Sequence, residues 1–218
     1  VIMIAIFGYL KLKTTNESTE ISTLEECKTL EYNGENKIDF VFFAAKEQTR
    51  QYADFFLNTY PLSEQKNNFN FYYIDNYSPE CDLYKNIAIL CDSREIKKKA
   101  ASCPYDFIVV LKEKSSEIRS SSYVNIMSIN SKHQKTVFLH EFGHAFAIFA
   151  EEYLANQKPA RGSKNCAKSC SDFESKTDGC FQECSSGEYS RSVEEGIMRT
   201  LSPKNSENPY GTYNSQII

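Results

Sequence analysis

Histidine is scarce in this chain, with three in 218 residues: His133, His140 and His144. Long apolar runs are scarcer still. The most uniformly apolar stretch, residues 1–10, is far short of the ~20 residues a membrane-spanning helix needs, and it gives way at Lys11 and Lys13. Because the chain opens on valine rather than methionine, this stretch reads as the end of a membrane anchor or signal segment, with a buried first strand as the other option. An excess of positive charge is missing too. With 25 Lys and Arg against 29 Asp and Glu the net charge is −4, which leaves no electrostatic case for a nucleic-acid partner. Cysteine, by contrast, is plentiful. Eight are more than a cytosolic enzyme of this size ordinarily carries, and the even number points to disulfides in an extracellular or cell-surface setting, with free thiols or a second metal as alternatives. At 41% hydrophobic and 25% charged, the chain is long enough for one well-buried domain, or one domain split by a cleft, and is expected to be a monomer.

Two of the three histidines lie four residues apart in residues 136–153, TVFLHEFGHAFAIFAEEY. On a helix that spacing separates them by about 40° and one turn, so both imidazoles can meet a single ion. Zinc is the natural candidate, and Glu141 is placed to act as general base towards water that the metal activates. The flanking residues are apolar, Val137 to Leu139 on one side and Ala145 to Ala150 on the other, so the helix reads as buried. Buried imidazoles and a carboxylate are costly unless something satisfies them, which favours a metal over a chance pattern.

The third ligand is not given by the helix. His133, seven residues before His140, reads as a surface histidine, and the position ten residues after His140 is Ala150. A carboxylate is therefore expected, with Glu151 preferred over Glu152. On an unbroken helix Glu151 would lie about 20° round from His140 but roughly 16 Å along the axis, out of reach. The chain must turn between Ala145 and Ala150, where it has no glycine.

HEFGHAFAIFAEEY resembles the HEFGHSF…DEY signature of the IgA peptidase family, a metzincin-like group of zinc metallopeptidases. The resemblance extends to IDFVFF, FNFYYID and DFIVVL before the helix and GIMR after it. It implies zinc on His140, His144 and an acidic residue of Glu151-Glu152-Tyr153, with Glu141 as base and Ile197-Met198-Arg199 as a methionine turn under the metal. Where the family usually carries glycine, this chain has Ala147 and Ile148. The implied activity is hydrolysis of peptide bonds in peptide or protein substrates. Two readings compete with it: a gluzincin-type peptidase with a later third ligand, Glu174, Glu194 or Glu195, and a catalytically silent zinc-binding module on the cell surface. A latent protease is a further option, with Cys27 as a thiolate switch on the zinc, although a disulfide suits Cys27 better.

Along the chain, residues 11–36 read as a polar tether, 37–153 as a catalytic subdomain and 154–218 as a smaller Cys-rich subdomain with the methionine turn. Asn16 and Asn76 begin glycosylation sequons. Strands are expected at 38–45, 69–74, 87–90, 107–111 and 123–129, and helices at 48–59 and 93–101, the latter capped by Ser93. The result is an α/β fold in which a mixed sheet of about five strands packs on the zinc helix, itself capped by Asn130 or Ser131. By analogy with metzincins, residues 121–129 border the cleft and pair with an extended substrate. Cys166, Cys170, Cys180 and Cys184 fit two antiparallel helical turns bonded crosswise, Cys166 to Cys184 and Cys170 to Cys180, with four-cysteine zinc as the alternative. Cys81 and Cys91 flank a short connection, which leaves Cys27 with Cys103. Gly196 is expected to make the tight turn before Met198, with Tyr189 or Arg191 steadying an oxyanion, and residues 209–218 to dock as a short helix or fray.

Overall fold

A computed structural model describes residues 25–173 and 177–218. Its first strand, β1 (Lys28–Glu31), falls within the segment expected to be a tether. The strand is polar because it lies at the sheet edge; Leu30 alone packs into the core, and Cys27 beside it is bonded to Cys103, which rules out a thiolate switch. β2 (Ile38–Phe43), α1 (Lys46–Leu57) and β3 (Phe69–Ile74) follow within two residues of the expected limits. Residues 87–90 do not join this sheet: β4 (Cys81–Tyr84) and β5 (Ala88–Cys91) form a separate hairpin stapled by Cys81–Cys91. α2 (Ser93–Ala100) is capped by Asp92 rather than Ser93, because the Asp92 carboxylate accepts from the backbone N–H of Arg94 at 2.8 Å and Glu95 at 3.1 Å.

After β6 (Phe107–Lys112), the single strand expected at 123–129 is two, β7 (Ser121–Tyr123) and β8 (Ile126–Asn130). The chain reverses between them at Val124, which takes a left-handed φ of 56°, and Asn125 ties the turn to the Asp106 carbonyl at 2.7 Å. No glycine or proline marks this turn. The sheet runs β1-β3-β2-β6-β8-β7, parallel in its centre and antiparallel at both edges. β2, β3 and β6 are apolar on both faces because both faces are covered. Phe40, Phe42 and Phe71 face α1 and α3 (Thr136–Ala147), and Val41, Phe43 and Ile108 face α2. The period-2 alternation of a strand assigns neighbouring side chains to different cores.

α3 begins without a side-chain cap. Asn130 ends β8 instead, where its side chain accepts from the N–H of Lys114 (3.1 Å) and Lys132 (3.2 Å) and donates to the carbonyls of Ser115 and Ile118, so it orders the approach to the helix. Beyond α3 lie β9 (Cys166–Ala167), β10 (Phe181–Cys184), β11 (Ser186–Arg191) and the terminal α4 (Thr212–Ser215). The disulfides pair as expected, including Cys166–Cys184 and Cys170–Cys180, but on a small three-stranded sheet and a 3-10 turn rather than on antiparallel helical turns. The terminal segment docks: Tyr210 is fully buried in the same core as Phe138 and Met198, and its hydroxyl donates to the Leu139 carbonyl at 2.5 Å. The result is a mixed α/β domain with four disulfides, the bonding pattern of an oxidising, extracellular or secreted environment. Among the described residues no helix is long and apolar enough to cross a membrane, and the anchor expected at 1–10 lies outside them, as does Asn16.

Candidate metal centre

α3 is held by its apolar face, where Phe138, Leu139 and Phe142 are buried against the aromatic core. Phe142 meets Phe56 edge-on at 4.9 Å between ring centroids and stacks on Phe146 at 5.0 Å. The adjacent face carries His140 and His144. His140 Nδ1 lies 2.9 Å from the Ile197 carbonyl and His144 Nδ1 lies 2.6 Å from the Phe149 carbonyl. A carbonyl only accepts, so both Nδ1 atoms carry protons and both Nε2 lone pairs point into the site. The two Nε2 atoms face each other at 3.0 Å.

Glu151 completes the group. Its Oε2 is 3.3 Å from His140 Nε2 and its Oε1 is 3.3 Å from His144 Nε2. Two lone pairs and a carboxylate converge here with no donor among them, a repulsive arrangement unless a proton or metal cation lies between. Glu151 Oε2 is buried without a hydrogen-bond partner, and a cation would satisfy it. His140, His144 and Glu151 are the one such cluster among the described residues, with ligand atoms all within 4.8 Å of one another, and can hold a metal ion.

The electrostatics agree. Burial pulls the His140 pKa down, but the close approach of Glu151 and the charges of Glu141 and Glu151 outweigh it and lift it to about 9. A proton therefore fills the site when no metal does. Burial pulls the Glu151 pKa up, yet His140 and His144 hold it well below the usual carboxylate range. Glu141, buried beside the cluster, has its pKa raised by burial, and the two histidines oppose that rise.

Glu151 arrives because α3 stops. Ile148 adopts the left-handed conformation (φ 56°, ψ 31°), and the Phe149 N–H closes back on the Gly143 carbonyl at 3.1 Å. The expected turn thus exists and is made by a β-branched residue. Asn165 then clamps Ala150 from both sides, its Oδ1 accepting from the Ala150 N–H at 2.8 Å and its Nδ2 donating to the Ala150 carbonyl at 2.9 Å. Glu152 turns the opposite way into a closed pocket, where it accepts from Asn214 Nδ2 at 2.7 Å and Asn165 Nδ2 at 3.1 Å. Burial pushes its pKa up to about 7 against those two hydrogen bonds. The choice between the adjacent glutamates is therefore made for Glu151.

Met198 lies under the helix. A Cβ on Gly143 would come within 2.7 Å of Met198 Sδ, so α3 reaches this floor only because Gly143 has no side chain. Gly196 also serves by close approach and not by a positive φ, since a Cβ there would stand 3.0 Å from the Tyr210 carbonyl oxygen. Neither Tyr189 nor Arg191 faces the site. Tyr189 packs on Ala150, Cys166 and Cys184, and the buried Arg191 guanidinium donates to the carbonyls of Gln182, Glu183 and Glu194. Sequence reasoning passed over Tyr153, which lines the cleft and hydrogen-bonds Glu151; burial and then the Glu151 charge raise its hydroxyl pKa. Its place next to the two glutamates was the available signal.

Neither later carboxylate among the described residues joins the cluster. Glu194 is exposed, Glu195 pairs with Lys204 at 3.2 Å, and Glu174 lies outside the described residues. His133 lies at the cleft rim with its Nε2 on the Ser116 carbonyl at 2.8 Å, a half-buried histidine rather than a ligand. The cleft above the cluster has a volume of about 910 Å³. β7 and the β4–β5 hairpin wall one side of it, and residues 199–201 line it on the far side of Met198. β8, expected at the border, is screened by β7. In comparison with known proteins, the chain matches no protein-family model and no curated protein sequence.

Proposed function

We propose that this chain is a zinc-dependent metalloendopeptidase with a metzincin-like fold, secreted or displayed at the cell surface. The observation that carries the reading is the convergence of His140, His144 and Glu151 beside Glu141, on the floor of an open cleft bordered by the sheet's edge strand. Two imidazoles and one carboxylate form a donor set typical of catalytic zinc, which leaves a coordination position open. The separations of 3.0, 3.3 and 3.3 Å lie close to the about 3.3 Å between neighbouring ligands of a tetrahedral zinc with ~2.05 Å bonds.

His140, His144 and Glu151 would hold the ion, their orientation set by the Ile197 and Phe149 carbonyls and by Tyr153. Zinc bound there supplies Lewis acidity, lowering the pKa of water and polarising a peptide carbonyl. Glu141 takes the proton from the attacking water and passes it to the departing amine. Its buried setting suits the role of base, because burial raises the carboxylate's affinity for a proton. β7 is the last strand on its side of the sheet and lines the cleft, so an extended peptide would pair with it by strand addition.

The test separates this reading from a catalytically silent zinc module. Elemental analysis of wild type and Glu141→Gln is expected to give about one zinc per chain in both, while hydrolysis of a peptide library falls more than ~10³-fold in the variant. Zinc without hydrolysis in wild type would leave the silent module, and no zinc in either would end both.

A further inference from the structure

Cations without carboxylate partners lie in the cleft wall, or in a segment that contributes to it, in an otherwise acidic protein. Arg119 and Arg199 line it, and the segment 154–164, which contributes Gln157 and Ala160 to its wall, carries Lys158, Arg161 and Lys164 with no Asp or Glu. None of these five makes an ion pair with a carboxylate among the described residues. Among the described residues, the only carboxylates lining the cleft are Glu141 and Glu151, both already engaged at the metal site. With a net charge of −4 over the whole chain, this local excess is not a by-product of composition.

Arg119 is the best placed of the five. Its backbone is fixed to the hairpin on both sides, its N–H donating to the Ile87 carbonyl at 2.8 Å and its carbonyl accepting from Ile89 at 2.9 Å. It lies just ahead of the strand that would carry the substrate backbone, and it lines the same cleft as Glu151 and Tyr153. A guanidinium held there meets substrate close to the bond being cut. Its planar donors match a carboxylate better than any neutral group.

We propose that the cleft selects acidic peptide segments, and that Arg119 is the specificity-determining residue that receives an Asp or Glu side chain near the scissile bond. Arg199 and the three cations of segment 154–164 extend that preference along the substrate and steer acidic chains into the cleft. The inference rests on the peptidase reading for its consequence, and binding tests it apart from hydrolysis.

A fluorescein-labelled glutamate-rich decapeptide and its glutamine isostere, titrated by anisotropy into zinc-loaded Glu141→Gln protein at low salt, provide that test. The acidic peptide is expected to bind at least about fivefold tighter, the worth of one partly screened ion pair. Adding Arg119→Gln should remove most of that difference, Arg119→Lys should keep part of it, and raising the salt should shrink it. In wild type the same preference should appear in kcat/KM for peptides carrying Glu or Gln beside the cleaved bond. Equal binding of the two peptides, or a preference untouched by Arg119→Gln, overturns the inference. Failure of wild type to cleave either peptide while the binding preference holds overturns the peptidase reading instead.

Discussion

His140 and His144 reach the site on a regular helix, whereas Glu151 reaches it on a segment without regular structure, and different forces hold the two. The histidines are carried by α3, whose buried apolar face is fixed by close packing against phenylalanine. Glu151 is held by polar contacts made over long stretches of chain: Asn165 clamps Ala150, Asn214 and Asn165 pin Glu152, and the Glu152 N–H donates to the Met198 carbonyl at 2.9 Å. Cys166–Cys184 closes over the same segment, with both sulfurs near the Glu151 carbonyl. A packed helix tolerates conservative change by repacking, whereas a polar network loses most when one member is left unpaired.

Mutating the adjacent glutamates separately breaks the comparison most directly. Glu151→Ala is expected to weaken zinc binding by more than the ~10- to 100-fold cost of losing an outer partner of a ligand, with the fold intact. Glu152→Ala is expected to keep about one zinc per chain and to lose about 2–3 kcal/mol of stability in urea melts, because two buried amides lose their acceptor. The reverse pattern would exchange the roles assigned to the two residues.

Protonation sharpens the same contrast. Zinc must displace the proton that His140 holds up to about pH 9, so apparent zinc affinity is expected to fall about tenfold per pH unit below that value in competition titrations. Glu152 reports instead on the polar network. Its pKa is raised from 4.5 to about 7, so its contribution to stability is full below about pH 4.5 and is lost as pH rises through about 7. Glu152→Gln is expected to flatten that slope in metal-free melts.

The smallest effect lies at the junction of the two regions. Ile148 is half exposed in a left-handed conformation that a β-branched residue enters at a cost of about 1–2 kcal/mol. Ile148→Gly is expected to stabilise the protein by about 1 kcal/mol without loss of zinc, less whatever flexibility it gives the unfolded chain. A destabilised variant would mean that the Ile148 side chain matters more for the cleft wall than its backbone costs.

Legibility in the sequence followed the same division. The strands IDFVFF, FNFYYI and FIVVLK and the spacing of His140 and His144 could be read because strand burial and helix geometry are local periodicities. β1 was not legible, since an edge strand of Thr and Glu looks like a tether until Leu30 is seen in the core. The Val124 reversal was not legible either, because no turn residue marks it, and the strand read at 87–90 carried no sign that it pairs outside the main sheet.

By itself the sequence determined the pairing of His140 and His144 on one helix face with Glu141 beside them, the buried strands and the α/β class of the fold. All of these follow from spacing along the chain or from burial of apolar runs. Only the tertiary structure decided which glutamate faces the histidines, which residues enter the cleft and where the cations around it gather. Those outcomes depend on Asn165, Met198, Tyr210 and Asn214 folding back from far along the chain, and contacts of that range leave no period in the residues that make them.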